Sequence, residues 1–128
     1  MEFYRKLKIP VSVGELFDKV SILEIKKSKM KDQEKLSNID LELEDLNHHL
    51  HNDARSDSLF SELMTVNLAL WRVEDDIRDK ESSSIFDDDF INLARSVYHL
   101  NDKRSEIKRK INDKFRSRLT EEKEYSSY

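Results

Sequence analysis

The sequence predicts an all-α protein: an antiparallel up-down helical bundle of three to four long helices, forming one domain over residues 1–128. The chain has only one Gly and one Pro, whereas a β-rich chain needs both residues repeatedly in its turns. Charged residues make up 39% of the chain, which is typical of long solvated helices. Apolar residues also recur at spacings of three and four, the pattern of helices buried on one face.

The first helix is predicted to begin at Ser12 and to run to about Lys31. Ser12 and Glu15 have the spacing of a capping box, in which the serine side chain accepts a hydrogen bond from the N–H group three residues on. Pro10 precedes this box, and residues 1–11 are predicted to form an extended leader. The apolar stripe of the helix consists of Val13, Leu16, Phe17, Val20 and Leu23.

Gly14 lies in the first turn of this helix, where glycine lowers helix stability. Its lack of a side chain would allow another helix backbone to approach closely, which is the favoured interpretation. The alternative is that the free N–H groups of the first turn bind an anion with help from Lys19, although Glu15 opposes an anion there.

The second and third helices follow from similar stripes. Apolar residues at 3-4-3-4 spacing from Leu36 to Leu50 predict a second helix with a coiled-coil seam. No strong stop separates it from the first helix, so a continuous first pair, giving three long helices, is the alternative. The polar stretch 51–57 predicts a loop, and the third helix is expected from Leu59 to near Glu81.

Three consecutive aspartates at 87–89 are predicted to begin the fourth helix, because carboxylates are stabilised by the free N–H groups and the dipole at a helix N-terminus. Its apolar stripe continues to Phe115. Residues 120–128 are predicted to form a polar tail, although Tyr125 and Tyr128 could fold back on the bundle.

Composition and charge exclude several classes of protein. The chain has no Cys, which excludes disulfides, thiolate zinc sites and a cysteine nucleophile. No stretch reaches the ~18 apolar residues of a membrane helix, and the N-terminus lacks a signal-peptide pattern, so a cytoplasmic protein without membrane contact is expected. Residues 1–31, 32–90 and 91–128 carry net charges of +4, −12 and +4. This distribution predicts charge pairing across the bundle and argues against nucleic-acid binding.

Two motifs suggest metals, but neither predicts a metal site. Residues 75–79 match the DDxxD pattern of terpenoid synthases, which need a much longer chain and a second acidic motif. His48, His49 and His51 lack the Glu-x-x-His partners of di-iron bundles. We therefore expect no metal and no cofactor.

Polar residues on or beside the apolar stripes form the candidate site. In the third helix, Trp71, Glu74, Arg78 and Glu81 follow Asn67 at alternating spacings of four and three, one position round from the apolar stripe. This polar stripe is expected to face polar partners on the fourth helix. Two interpretations stay open: an interhelical ion-pair network that fixes helix register, which is favoured, or a polar cleft that binds an anionic group. The candidate residues are Glu15, Asp18, Lys19, Asn67, Trp71, Glu74, Asp75, Arg78, Arg95, Tyr98, Asn101, Asp102, Arg104 and Lys108.

Four segments carry a family resemblance, namely IPVSVGELFDKVSILEIK, LWRVEDDIRDKE, FINLARSVYHLNDKRSEIKRKIN and EEKEY. They resemble a family of short bacterial and phage proteins catalogued as domain of unknown function 6165. The resemblance covers most of the chain except about 30–65 and includes polar positions as well as heptads. It implies a compact helical protein, and it brings no activity and no residue roles.

The leading functional hypothesis is a non-catalytic helical binding or regulatory protein, forming a homo-oligomer, with a dimer expected, and acting through a protein partner or a small anionic ligand. One alternative is a small all-α enzyme acting on an anionic metabolite. Another is a structural coiled-coil adaptor. No catalytic residue is assigned, because no nucleophile or acid–base pair stands out from the sequence.

Overall fold

The computed structural model describes residues 2–128 and contains no β-strand within that range. Its helices are α1 (Val13–Lys29), α2 (Gln33–Asn47), α3 (Ser58–Ser82) and α4 (Asp88–Lys114). Short 3₁₀ helices occupy Glu2–Tyr4 and Ala54–Ser56. The predicted all-α helical bundle is confirmed, and a break after Lys29 gives four helices in place of the three-helix alternative.

Each α-helix begins directly after a capping side chain. Ser12 Oγ accepts a hydrogen bond from the Glu15 N–H at 3.1 Å, as the capping box predicts. Asp32, Asp57 and Asp87 accept corresponding bonds at the starts of α2, α3 and α4, at 3.1, 2.8 and 2.9 Å. Such caps typically contribute about 1 kcal/mol each, so they fix the four helix starts.

The helix ends differ slightly from the predicted ones. α2 ends at Asn47, and a turn closed by the Leu50 N–H on the Asn47 carbonyl at 3.2 Å follows it. Leu50 still packs on the core. The leader is not extended throughout, since the Arg5 N–H bonds the Glu2 carbonyl and closes a 3₁₀ turn.

α1 lies at the centre of the bundle and packs against α2, α3 and α4. Its Phe17 ring lies 6.0 Å from the Phe60 ring of α3 and 5.2 Å from the ring of Phe115, just after α4. α1 and α4 run antiparallel, because Gly14 contacts Lys108 and Asn112, whereas Asp18, further along α1, contacts the earlier Arg104. The buried core consists of Phe17, Val20, Leu23, Ile39, Leu43, Ala54, Phe60, Leu63, Val66, Ile107 and Ile111.

α3 and α4 continue well beyond this core. All buried residues of α3 lie at or before Asn67, and all buried residues of α4 lie at or after Ile107. No residue from Leu68 to Glu106 is buried, so residues 68–106 form a projecting two-helix unit, here named the α3–α4 hairpin. None of the described helices has both the length and the apolar character needed to cross a bilayer.

Candidate functional site

A buried carboxylate, that of Asp18 in α1, lies at the base of the α3–α4 hairpin and is only 1% exposed. It accepts hydrogen bonds from Asn67 Nδ2 at 2.8 Å and from Arg104 Nε at 3.0 and 3.2 Å. A second guanidinium nitrogen of Arg104 also donates to it, and Lys108 Nζ lies 3.6 Å away. Asp18 therefore joins three helices through one side chain. We name its surroundings the polar cluster, consisting of Glu15, Asp18, Ser21, Asn67, Arg104 and Lys108.

Helical spacing brings these residues onto facing sides of their helices. Asp18 and Ser21 lie three residues apart on α1, so they share the face that meets α3. Arg104, Lys108 and Asn112 recur every four residues on α4 and share the face that meets α1.

Asn67 connects α3 to α1 within the cluster. Its side-chain amide donates to Asp18 Oδ1 and to Ser21 Oγ, both at 2.8 Å. The Ser21 hydroxyl in turn donates to the Asp18 backbone carbonyl at 2.8 Å. The stripe that begins at Asn67 was expected to face the fourth helix, and for Asn67 itself the hydrogen-bond partners lie on the first helix instead.

Lys108 is the second buried charge, with its side chain 10% exposed. Its ammonium contacts Glu15 at 2.7 Å and Glu121 at 2.9 Å, in addition to Asp18. Glu15 also pairs with Lys19, one turn further along α1, at 3.8 Å. The Glu15 carboxylate therefore pairs with Lys108 and Lys19 and does not complete the capping box.

The polar cluster stabilises the charged forms of its members. Burial by itself would raise the pKa of Asp18, but hydrogen bonds from Arg104 and Asn67 and the nearby positive charges lower this pKa overall. The hydrogen bond to Asp18 raises the pKa of Arg104. Burial would lower the pKa of Lys108, yet hydrogen bonds to Glu15 and Glu121 raise it overall. At neutral pH these groups are therefore fixed charges, not proton donors or acceptors.

Gly14 allows the start of α1 to press against α4. A Cβ atom at Gly14 would lie 2.6 Å from the Lys108 carbonyl oxygen, closer than any side chain permits. The Gly14 N–H donates to Asn112 Oδ1 at 2.7 Å, and the Val13 N–H donates to Ser117 Oγ at 3.1 Å. These contacts favour the close-packing interpretation of Gly14, because they occupy the donors that an anion would use.

The remainder of the third-helix stripe does not join the cluster, so the prediction that it faces polar partners on α4 is wrong. Arg78 and Glu74 pair with each other at 2.8 Å, and their side chains are 76% and 57% exposed. Asp75 is exposed, and Trp71 is half-buried. The reason is that α3 has no buried residue after Asn67 and its last contact with the core is through Leu70, so the polar side chains further along face solvent.

A second group of candidate residues lies on another part of α4. Asp102 accepts a hydrogen bond from the hydroxyl of Tyr128, and the Tyr98 ring lies 5.0 Å from the Tyr128 ring. Arg95 Nε donates to the Tyr98 hydroxyl at 3.4 Å, and Asn101 is half-buried beside this group. Asp102 and Tyr98 therefore contact the end of the chain, Arg95 contacts Tyr98, and within residues 2–128 none of the four candidates bonds to a member of the polar cluster.

The C-terminal segment, residues 115–128, runs back along α4. Besides the Tyr128 contact, Glu121 binds Lys108, and Glu122 binds Arg109 at 2.7 Å. Tyr128 of the predicted polar tail thus folds back on the bundle. A cavity of about 200 Å³ separates this segment from α4, and Lys108, Arg109 and Glu121 contribute to its walls.

Sequence reasoning missed three residues of this region. Ser21 lies three residues after Asp18, and Asn112 lies four residues after Lys108. Extending each helical stripe by one position would therefore have identified them. Glu121 lies in a segment without helical periodicity, and only its charge marked it as a partner for a buried base.

A family model described as a family of unknown function, DUF6165, matches residues 7–128. The chain belongs to this family. The match covers nearly the whole chain and confirms the resemblance seen in its four segments. Comparison with curated proteins found no match, and comparison with solved structures found none either.

In this DUF6165 protein, the polar cluster is better suited to holding fixed charges in place than to acid–base chemistry. Its bases and acids are paired, and no buried side-chain nitrogen or oxygen within residues 2–128 lacks a hydrogen-bond partner. Across the same residues, no group of three or more His, Asp or Glu side chains is arranged to hold a metal ion. What the arrangement can do is lock three helices together and present Lys108 at the edge of a cavity.

Proposed function

We propose that the protein is a small, non-catalytic helical binding or regulatory protein in which Lys108 receives an anionic group at the edge of the polar cluster. One observation carries this proposal. Lys108 is a buried ammonium whose fixed partners, Glu15 and Asp18, lie on α1, whereas its third contact comes from Glu121 in an irregular segment. An acid of the chain itself therefore lies where the anionic group of a ligand would bind.

Glu121 is the exchangeable partner of Lys108. Its side chain is 44% exposed, and residues 118–128 contain no regular secondary structure. Lys108 is buried, but the Glu121 carboxylate is open to solvent and is not held in a helix, so an anion from solution can compete with Glu121. Glu15 and Asp18 are held by a helix and by further hydrogen bonds, so they would stay in place.

The charge around the cavity favours an anion over a cation. Lys108, Arg109 and Lys123 line it, against the two carboxylates of Glu106 and Glu121. After displacement of Glu121, Lys108 is still paired with Glu15 and Asp18 and Arg109 with Glu122, whereas Lys123 loses its one carboxylate partner within residues 2–128. A volume of about 200 Å³ is below the ~300–1,000 Å³ of typical whole-ligand sites, so we propose that the site holds one phosphate or carboxylate group.

Thermal shift against inorganic phosphate, pyrophosphate, citrate and a panel of phosphorylated metabolites tests this proposal. A ligand at about one hundred times its Kd stabilises a protein by about 2.7 kcal/mol, which is readily measured. We expect at least one anion to raise the melting temperature of the wild type, and to raise that of Glu121→Gln further at the same concentration.

Glu124→Gln is the matched control, because Glu124 lies in the same segment and makes no hydrogen bond or ion pair with residues 2–128. It should respond to each anion as the wild type does. If no anion shifts any of the three proteins, the binding function is contradicted and the cluster is purely structural. Equal gains in Glu121→Gln and Glu124→Gln would contradict the role of Lys108, since a general charge effect would then explain the binding.

A further inference from the structure

The α3–α4 hairpin leaves apolar side chains uncovered. Ile85, Phe86 and Ile91 at its tip are 45%, 58% and 51% exposed, and no residue between Leu68 and Glu106 is buried. Two helices alone cannot enclose a core, and stable bundles of this kind are built from about four. A second hairpin would supply the missing pair of helices.

One face of α4 carries charges of opposite sign at its two ends. Asp89, Ser96, Lys103 and Lys110 recur every seven residues, so they lie along a single stripe. Asp89 is near the tip of the hairpin, whereas Lys103 and Lys110 are near its base. None of these three charged side chains forms an ion pair within residues 2–128. The stripe is thus complementary to itself when it is reversed.

α3 adds further negative charge beside the acidic end of the stripe. An open groove of about 560 Å³ lies between the two helices there, and Asp76, Asp79 and Asp89 line it together with Leu93. Lys80 in this groove is already engaged by Asp87 at 3.2 Å. The groove therefore has the chemistry to receive lysine side chains from an adjacent helix.

Within residues 2–128, the side chains of Asp89, Lys103 and Lys110 form no hydrogen bond or ion pair with α1 or with the C-terminal segment. α1 meets α4 through Arg104 and Lys108, and the C-terminal segment meets it through Asp102 and Arg109. Lys103 and Lys110 are exposed. A second protein can therefore reach the stripe without displacing either element.

We infer that two copies of this chain pair through this face as an antiparallel, two-fold symmetric dimer. In that pairing Lys110 of one copy meets Asp89 of the other, and the contact occurs twice because the interface is isologous. A parallel arrangement is disfavoured because it would place the two acidic tips side by side.

The available surface has the size that a stable dimer needs. α4 has 27 residues and so is about 40 Å long, and a face two helices wide spans about 20 Å. This gives on the order of 800 Å² per copy, the usual contribution of each partner to a specific interface. Because much of the contact is charged, we expect the dimer to weaken as salt concentration rises.

Sedimentation equilibrium of the full chain, in low and high salt, tests this inference through charge reversal. Lys110→Glu and Asp89→Lys each place like charges opposite one another at both ends of the interface. We expect each variant alone to dissociate about tenfold more readily than the wild type. An equimolar mixture of the two variants should form a dimer of near wild-type affinity, because both contacts become attractive again.

The matched control is Lys35→Glu, which reverses an exposed charge on α2, away from the stripe. It should leave the dissociation constant unchanged, and circular dichroism should show all variants equally helical. A wild type that stays monomeric at 100 µM in low salt, at ~0.05 M, where charge attraction is least screened, would overturn the inference. A dimer that neither reversal weakens, or that mixing does not restore, would overturn it as well. None of these outcomes bears on the anion proposal, because Lys108 lies on a different face.

Discussion

Replacement of Asp18 by asparagine is the sharpest perturbation of the polar cluster. The substitution keeps the shape of the side chain and removes its charge. Arg104, with its side chain 29% exposed, then loses its only carboxylate partner within residues 2–128, and Lys108 loses one of three. Asn67 also loses a charged acceptor. The change therefore leaves a largely buried guanidinium without an opposite charge.

The expected loss of stability is large for a single substitution. Breaking a buried ion pair by removing one partner costs about 3–5 kcal/mol, because the remaining charge stays desolvated. For a chain of 128 residues, a loss of this size lowers the melting temperature by roughly 10–20 °C. Because Asp18 is hydrogen-bonded and only 1% exposed, its ion pair with Arg104 belongs to this buried class.

Urea denaturation followed by circular dichroism measures this loss in a double-mutant cycle. Arg104→Gln is the second single variant, and Asp18→Asn with Arg104→Gln closes the cycle. We expect the double variant to be more stable than the sum of the single losses predicts, by about 0.5–3 kcal/mol, because the two groups share one interaction. Strict additivity, or a loss below about 1 kcal/mol in Asp18→Asn, would refute a buried and coupled pair.

Three further predictions concern the same cluster and its surroundings. Gly14→Ala should cost about 1–3 kcal/mol in urea denaturation, because its Cβ would meet the Lys108 carbonyl at 2.6 Å. The free energy of unfolding should be constant near neutral pH. It should fall in acid as the pH drops through the lowered pKa of Asp18, and in alkali as the pH rises through the raised pKa of Lys108. Urea midpoints measured across this pH range test both. Glu74→Gln should change unfolding free energy by less than about 0.5 kcal/mol, because its pair with Arg78 is exposed.

Local sequence signals predicted much of this fold. The capping patterns located the starts of α1 and α4 at Ser12 and Asp87, because a cap depends on residues only three positions apart. Apolar periodicity identified all four helices, because it also depends on residues only three or four positions apart. The sequence does not determine the break between α1 and α2, since the Asp32 cap follows a stretch of lysines with no Gly or Pro.

The partners within the candidate site were harder to predict. The helical period determines which residues share a face of a helix, but it does not show how far a neighbouring helix extends along that face. Asn67 and Arg78 belong to the same stripe, yet they lie eleven residues, about 16 Å, apart along α3. Asn67 is level with α1 and is buried, whereas Arg78 lies on the projecting hairpin and faces solvent. Glu121 could not be placed, because an irregular segment has no periodicity from which to infer its course.

The most direct test of the anion site is the affinity of Glu121→Gln for pyrophosphate, measured by isothermal titration calorimetry beside the wild type and Glu124→Gln. If Glu121 occupies the position of the ligand's anionic group, its removal should tighten binding at least about threefold to fivefold, because the competing pair with the buried Lys108 is worth at least the ~1 kcal/mol of a good surface ion pair. Glu124→Gln should bind as the wild type does. Unchanged or weaker binding by Glu121→Gln would contradict the proposal that Lys108 exchanges this carboxylate for a ligand.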